Sequence, residues 1–333
     1  MFKYFTISCL LGLFISFSGI CQNRVRTKPV AVIFDTDIGP DYDDVGAITM
    51  LHALADSGQV TILATIASDK YAKVSQVLSV FNTYFNRPTI PIGVPKGKAV
   101  DEPDSQHWSD SIVARYPHRV KSNADVPDAV ALYRQVLAKQ PDKSVTIITV
   151  GFLTNLANLL ASKPDQFSSL SGKDLVNQKV KQLVSMAGKF PAGKEFNVFK
   201  DADASIAALR NWPTPIIFSG FEIGEKVKTG LPLMQNKGIQ KSPARDVFRI
   251  SIPKAKEDKD GRMSWDQTAV LVAVKGAKPY YTLKPGRIVV QPDGSNTWDA
   301  TKTGHFYLVE NRPVAEVTDY INRLMMHQPI RKK

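Results

Sequence analysis

Asp35, Asp37, Asp41, Asp43 and Asp44 fall within ten residues, directly after the apolar run 30–34 and directly before a helical pattern that starts at Val45. Carboxylates at that density repel one another unless a cation neutralises them, and an all-oxygen cluster suits a hard ion such as Ca²⁺ or Mg²⁺. Asp is also an ordinary turn residue and a good helix cap, so one or two of them serve the turn in any reading. Two adjacent carboxylates inside so dense a group exceed what a turn needs, and the segment reads as a metal site. Much later, Asp266 precedes the apolar helical stretch 268–274. Alone it is a helix cap; beside the first cluster it becomes a further candidate ligand.

The elements that must position these residues are legible as apolar runs rich in β-branched side chains at 30–34, 60–66, 145–150, 182–186 and 215–218, alternating with helical patterns. Each run is nearly continuous in apolar character, as a strand covered on both faces must be. The predicted fold is therefore α/β, a mostly parallel central sheet with crossover helices in a single domain. Ligands of such sheets bind outside the carboxyl ends of the strands. Polar and glycine positions converge there: the aspartate cluster, then Ser68-Asp69-Lys70, Gly151 to Asn155, Gly188 with Glu195 and Asn197, and Ser219 to Glu222. Two polar stretches, 96–124 and 254–262, read as long loops of the kind used for lids and binding, the second partly disordered without a ligand.

At 333 residues and 43% hydrophobic content the chain can bury a large core and is neither disordered nor fibrous. Its formal charge of +12 raises the question of a polyanion partner. Lys and Arg are spread along the whole chain without a basic helix or a basic-aromatic repeat, so no specific nucleic acid is expected. Residues 1–21 read as a signal peptide. Lys3 supplies the positive start, residues 5–17 are apolar but short for a membrane span, and Ser18 to Gln22 offers small residues at a cleavage point. The expected location is secreted or periplasmic, with 22–333 as the mature domain and no stable membrane span. Lipid anchoring at Cys21 is the less favoured option, because Ile20 is bulky where lipidation sites carry a small residue. Cys9 and Cys21 both fall in or beside the removed segment, leaving a mature chain without disulfides.

Asp35-Thr36-Asp37 with Asp43-Asp44, Val150 to Asn155, Glu195-Phe196-Asn197 and Trp265-Asp266 occur in this order on the expected strand ends. Together they resemble the inosine/uridine-preferring nucleoside hydrolase family, in its secreted bacterial variety with a longer first loop. The match runs from about residue 30 to the C-terminal helix. The resemblance implies a single α/β domain, one tightly held Ca²⁺, hydrolysis of the N-glycosidic bond of a ribonucleoside or related riboside, and a homo-oligomer, dimer or tetramer. It implies Asp37, Asp44, Asp266 and the main-chain carbonyl of Val150 as calcium ligands. Asp37 would be the general base towards a water acidified by the metal, Asp43 and Asn197 would hold ribose hydroxyls, and Glu195 the 5′-hydroxyl. These residue types suit an oxocarbenium-like transition state, which surrounding carboxylates and amide oxygens favour electrostatically.

The sequence departs from that family's pattern in four places. The first loop has two additional residues, so Asp41 has no counterpart and is open to roles as ligand, support or turn residue. Asp69 stands where many relatives carry asparagine and is a further candidate substrate contact. The segment before Glu195 is shortened, leaving Lys189 or Lys194 as replacements for a usual asparagine. Trp265 stands where many members have the histidine that helps the base depart. Indole cannot give up a proton at neutral pH, but it can stack on a base for about 1–3 kcal/mol. Leaving-group candidates are then Glu222, after the fifth strand run, and His107, with Trp108 and His118 nearby in the long loop. Two other classes remain in view: a catalytically weak or inactive calcium-containing ribose- or nucleoside-binding protein, and a phosphatase of the haloacid dehalogenase type. Gly39 and the paired Asp43-Asp44 argue against the phosphatase.

Overall fold

The strands of the computed structural model are β1 (Val30–Thr36), β2 (Val60–Ala67), β3 (Ile92–Gly93), β4 (Val145–Thr149), β5 (Val180–Met186), β6 (Ala192–Lys194), β7 (Ile216–Ser219), β8 (Lys228–Thr229), β9 (Arg262–Met263), β10 (Tyr281–Val290), β11 (Ser295–Asp299) and β12 (His305–Glu310). The structure describes residue 1 and residues 28–330. The segment read as a signal peptide, Met1 apart, lies outside the described residues, as do Cys9 and Cys21. Ten strands form one sheet in the order β3-β2-β1-β4-β5-β7-β12-β10-β11-β6. Pairing is parallel from β3 through β12 and antiparallel beyond it. Among the described residues no helix is long and apolar enough to cross a membrane.

Adjacent residues on a strand point to opposite faces, and the core divides accordingly. Val32 and Phe34 of β1, Ile148 of β4 and Val184 of β5 belong to one buried cluster; Ile33, Ile147 and Leu183 belong to the other. That two-sided burial is why these strands read as unbroken apolar runs. The five predicted strands are β1, β2, β4, β5 and β7, with ends displaced by one or two residues. The antiparallel β10 was not foreseen. Its residues 282–285 are exposed and its sequence contains Lys284, Pro285 and Gly286, so it lacks the pattern of a buried strand.

Both long polar stretches need correction. The first contains the helix Trp108–Arg115, anchored by buried Trp108 and Ile112, so it is two shorter irregular segments, 96–107 and 116–122, rather than one long loop. The second is packed rather than partly disordered. It carries the two 3₁₀ turns Ile252–Lys254 and Lys256–Asp258, and buried Asp258 accepts a hydrogen bond of 2.5 Å from the Tyr42 hydroxyl.

The strand order fixes where a ligand can bind. From β1 the chain moves outward to β2 and β3, then returns to lay β4 on the other side of β1. The reversal opens a crevice at the carboxyl ends of β1 and β4, the position open α/β sheets use for ligands.

Candidate active site

At that crevice the ends of three strands are stapled together. Val150 N–H donates to the Asp35 carbonyl at 2.8 Å and Ser68 N–H to the Thr36 carbonyl at 2.8 Å. Buried Asn155 donates through Nδ2 to the Asp35 carboxylate at 3.0 Å and to the Ala67 carbonyl at 2.7 Å. The Asp35 carboxylate also accepts from the Tyr133 hydroxyl at 2.8 Å, and burial pushes its pKa up to about 7. Asp35 is thus a structural member of the cluster. Gly151 is required by space: a Cβ there would lie 2.5 Å from the Asp37 nitrogen.

Two helices bring the remaining carboxylates together. Asp43 and Asp44 occupy the first turn of the helix Asp43–Asp56, and Asp266 the first turn of Trp265–Lys275. The two helices pack side by side, with Gly46 of one against the Gln267 side chain of the other. Both N-termini therefore point to the same place, where free N–H groups and the helix dipoles favour negative charge. One carboxylate oxygen from each of Asp43, Asp44 and Asp266 lies within 4.8 Å of the others, and all three residues are buried. Asp37 is buried beside them.

The charges have little relief from the protein alone. Burial, followed by the repulsion of neighbouring carboxylates, holds Asp37 and Asp266 well above the usual carboxylate range. Asp43 is pushed up to about 8 by burial and then by Asp41, against the pull of Arg262. Asp44 is pushed up to about 6 by burial, against the hydrogen bond donated by the Thr36 hydroxyl. A buried, all-oxygen donor set whose members resist ionisation beside one another fits a hard divalent cation, which would displace the protons they otherwise retain.

These residues floor a cavity of about 500 Å³ lined also by Asp41, Val150, Glu195, Asn197, Phe196, Phe221 and Trp265. Asn197 donates through Nδ2 to the Val150 carbonyl at 2.9 Å and to the Met186 carbonyl at 3.1 Å. Glu195 caps the helix Phe196–Lys200. Its carboxylate accepts from Asn197 N–H at 2.8 Å and Gly188 N–H at 2.9 Å, and burial raises its pKa to about 7. Trp265 donates its indole N–H to the Phe221 carbonyl at 2.8 Å, so that proton is already engaged.

Several sequence candidates lie off the cavity wall. Asp69 accepts from Tyr71 N–H at 2.5 Å and Glu102 N–H at 3.1 Å, tying the loop 100–107 to the end of β2 rather than facing the cavity. Glu222 accepts from Phe190 N–H at 3.0 Å. His107 is exposed and meets Asp110 at 3.2 Å, and His118 leans on the Tyr116 carbonyl. None of these lines the cavity, and neither do Lys189 and Lys194, which lie over the rings of Phe221 and Phe199. The sequence reading missed Glu102, Glu257 and Arg262, which do. Arg262 stands four residues before Asp266; Asp41 and Asp43 reach it from a distant segment, and Asp258 from four residues before it. It pairs with Asp41, with Asp43 at 3.0 Å and with Asp258 at 3.6 Å, which outweigh the burial that opposes its charge.

Residues 32–326 match the family model described as inosine-uridine preferring nucleoside hydrolase. The chain belongs to that family. This hydrolase is 23% identical over 234 residues to the inosine-uridine preferring nucleoside hydrolase of Crithidia fasciculata, covering 67% of this chain and 70% of the relative. It is 24% identical over 304 residues to the pyrimidine-specific ribonucleoside hydrolase RihA of Klebsiella pneumoniae, covering 83% and 90%. A solved purine-preferring ribonucleoside hydrolase from Gardnerella vaginalis superposes with a TM-score of 0.69 at 17% identity, covering 89% of this chain and 98% of that one. The chain is accordingly an N-glycosyl hydrolase acting on ribonucleosides.

Proposed function

We propose that this hydrolase is calcium-dependent, and that it seats the sugar over the carboxylate floor with the base against Phe196, Phe221 and Trp265. The observation that carries this reading is the buried oxygen cluster at the strand reversal, opening on a cavity of nucleoside dimensions. Asp37, Asp44, Asp266 and the Val150 carbonyl would hold the ion, which when bound neutralises the cluster and makes a neighbouring water a better acid. Asp37 has no side-chain partner among the described residues and is free to take the proton of the attacking water. Asp43 and the amide oxygen of Asn197 accept from ribose hydroxyls, and Glu195 from the 5′-hydroxyl. As water adds at C1′ and the C–N bond breaks, the surrounding carboxylates favour the positive charge that develops on the sugar. Trp265 stacks on the base but gives it no proton. Besides Asp41 and Glu195, the cavity wall outside the floor carries the carboxyl groups of Glu102 and Glu257, whereas His107 and Glu222 do not line it.

Chromatographic release of base from inosine and uridine tests the reading. Turnover should vanish on chelation, return with Ca²⁺ and be lost in Asp37→Asn. Absence of base release from any riboside, with calcium binding demonstrated by calorimetry, would favour a ribose-binding protein instead. We also infer export, supported by Lys3, the apolar run 5–17 and the small residues before Gln22. N-terminal sequencing of the exported chain should begin near Cys21 or Gln22, and an intact Met1 would refute it.

A further inference from the structure

Oxygen proximity alone selects Asp43, Asp44 and Asp266 as a ligand set and leaves out Asp37, although Asp43 is the carboxylate that the proposed reaction assigns to the sugar. The surroundings of Asp43 separate the two roles. Its Oδ1 accepts from Arg262 Nη2 at 3.0 Å and Nε at 3.3 Å, and its Oδ2 accepts from Asp266 N–H at 3.3 Å. Arg262 is 7% exposed, and its guanidinium lies over two rings, 4.9 Å from the centroid of Tyr42 and 5.1 Å from that of Trp265. Its other nitrogen faces Asp258, which is itself held by the Tyr42 hydroxyl, and Asp41 pairs with the same Nη2 that meets Asp43. A planar fork held in this way has one orientation, which a point-charge ammonium would not reproduce.

We infer that Arg262 is a positioning residue that commits Asp43 to the sugar. By engaging Oδ1 it fixes the carboxylate plane, while Asp37, without such a partner, remains available to the metal and the water. The cluster is thereby divided into a metal half and a sugar half. The two residues added to the first loop gain a purpose from this arrangement, since Asp41 in that loop is the guanidinium's second partner. The inference rests on the sugar-binding assignment of Asp43 made above. It predicts effects of opposite kind on the two ligands, because removing a cation from beside the cluster cannot weaken its attraction for another cation.

The test is calorimetric titration of Arg262→Gln and Arg262→Lys with Ca²⁺, and then of the calcium-loaded proteins with ribose, alongside KM for a hydrolysed riboside. Arg262→Gln should bind Ca²⁺ at least as tightly as the parent, with ribose affinity lower by about ten- to hundredfold and KM raised to match, as for loss of a charge-assisted hydrogen-bond pair. Arg262→Lys, which keeps the charge but not the fork, should retain the parent's Ca²⁺ affinity and still bind ribose more weakly than the parent. Parallel loss of both ligands in both variants, or unchanged ribose binding in either, would overturn the inference. A parent protein that binds Ca²⁺ but not ribose or any riboside would instead overturn the assignment of Asp43 on which it rests.

Discussion

Replacing Gly151 by alanine tests the claim that the site is built by close contact of strand ends rather than by its ligands alone. A Cβ at this position would meet the Asp37 nitrogen at 2.5 Å, the Asp37 Cβ at 2.8 Å and the Ser68 hydroxyl at 2.4 Å. The hydroxyl can rotate away. The two Asp37 contacts cannot be relieved that way, because they involve the backbone nitrogen and the first side-chain atom of a buried residue at the end of β1. Restoring ordinary contact needs a displacement on the order of 1 Å between the segments that carry Asp37 and Val150, and a shift of that size at a catalytic group costs roughly 100-fold in rate. Overpacking of this kind also costs about 1–3 kcal/mol of stability. Gly151→Ala should therefore retain its fold by circular dichroism, melt several degrees lower, and show kcat reduced by about two orders of magnitude with weakened Ca²⁺ binding. A variant that matches the parent in kcat and Tm would refute the argument, since it would show that the strand ends accommodate the methyl group without moving Asp37.

Asp44→Ala should lower Ca²⁺ affinity by calorimetry by at least about tenfold, because even the outer partners of metal ligands cost roughly 10–100-fold when removed; unchanged binding would displace Asp44 from the ligand set. Trp265→Ala should raise KM for inosine in keeping with a lost stacking contact of about 1–3 kcal/mol, and p-nitrophenyl riboside, whose leaving group needs no proton, should outpace inosine and uridine on the parent enzyme. Faster cleavage of the nucleosides would mean that another group supplies the proton. Burial and then the Arg87 charge lower the pKa of His52 to about 3, where its ring stacks on Phe85 and meets Asn82 at 3.1 Å. The unfolded chain thus binds this proton more readily than the folded one, so stability is full above the unfolded value near 6.5 and falls as pH drops towards 3, by up to about 1.4 kcal/mol per pH unit. Urea titrations at pH 7, 6, 5 and 4 should show that loss shrinking in His52→Gln, and identical pH slopes for parent and variant would exclude His52 as a source.

What the sequence disclosed and what it hid divide along a physical line. Strands buried on both faces advertise themselves by composition, so β1, β2, β4, β5 and β7 could be read with small errors at their ends, and with them the rim on which Asp37, Val150 and Glu195 stand. Asp43, Asp44 and Asp266 were also legible, since carboxylates in the first turn of two helices sit next to recognisable apolar patterns. Arg262 was not, because nothing local distinguishes it from the surface arginines and lysines that give the chain its charge of +12. Its meaning comes from Asp41, Asp43, Tyr42 and Asp258, and the contact with the first loop spans 219 positions. The same limit explains why the leaving-group candidates named from the sequence lie off the cavity wall. His107 and Glu222 follow strands or occupy the right loops, but whether such a side chain faces the cavity depends on which backbone N–H captures it first, and Phe190 captures Glu222.

The site is strongly acidic although the chain carries a net charge of +12. The described residues that line the cavity include eight with carboxylates and one with a guanidinium. A dication added to that floor still leaves an excess of negative charge around the sugar. This is where an oxocarbenium-like transition state requires it, and a neutral ground-state nucleoside gains less from the same field. The difference between those two interactions is what accelerates the reaction, so carboxylates that touch neither ion nor sugar still contribute by their charge. Glu257 is the residue on which this can be measured, since it lines the wall without belonging to the floor. Glu257→Gln should lower kcat for p-nitrophenyl riboside, whose departure needs no acid, by a modest factor that shrinks as salt is raised and the field is screened. A loss confined to inosine and uridine would instead identify Glu257 as the proton donor to the leaving base. An unchanged rate on every riboside at every ionic strength would refute both roles.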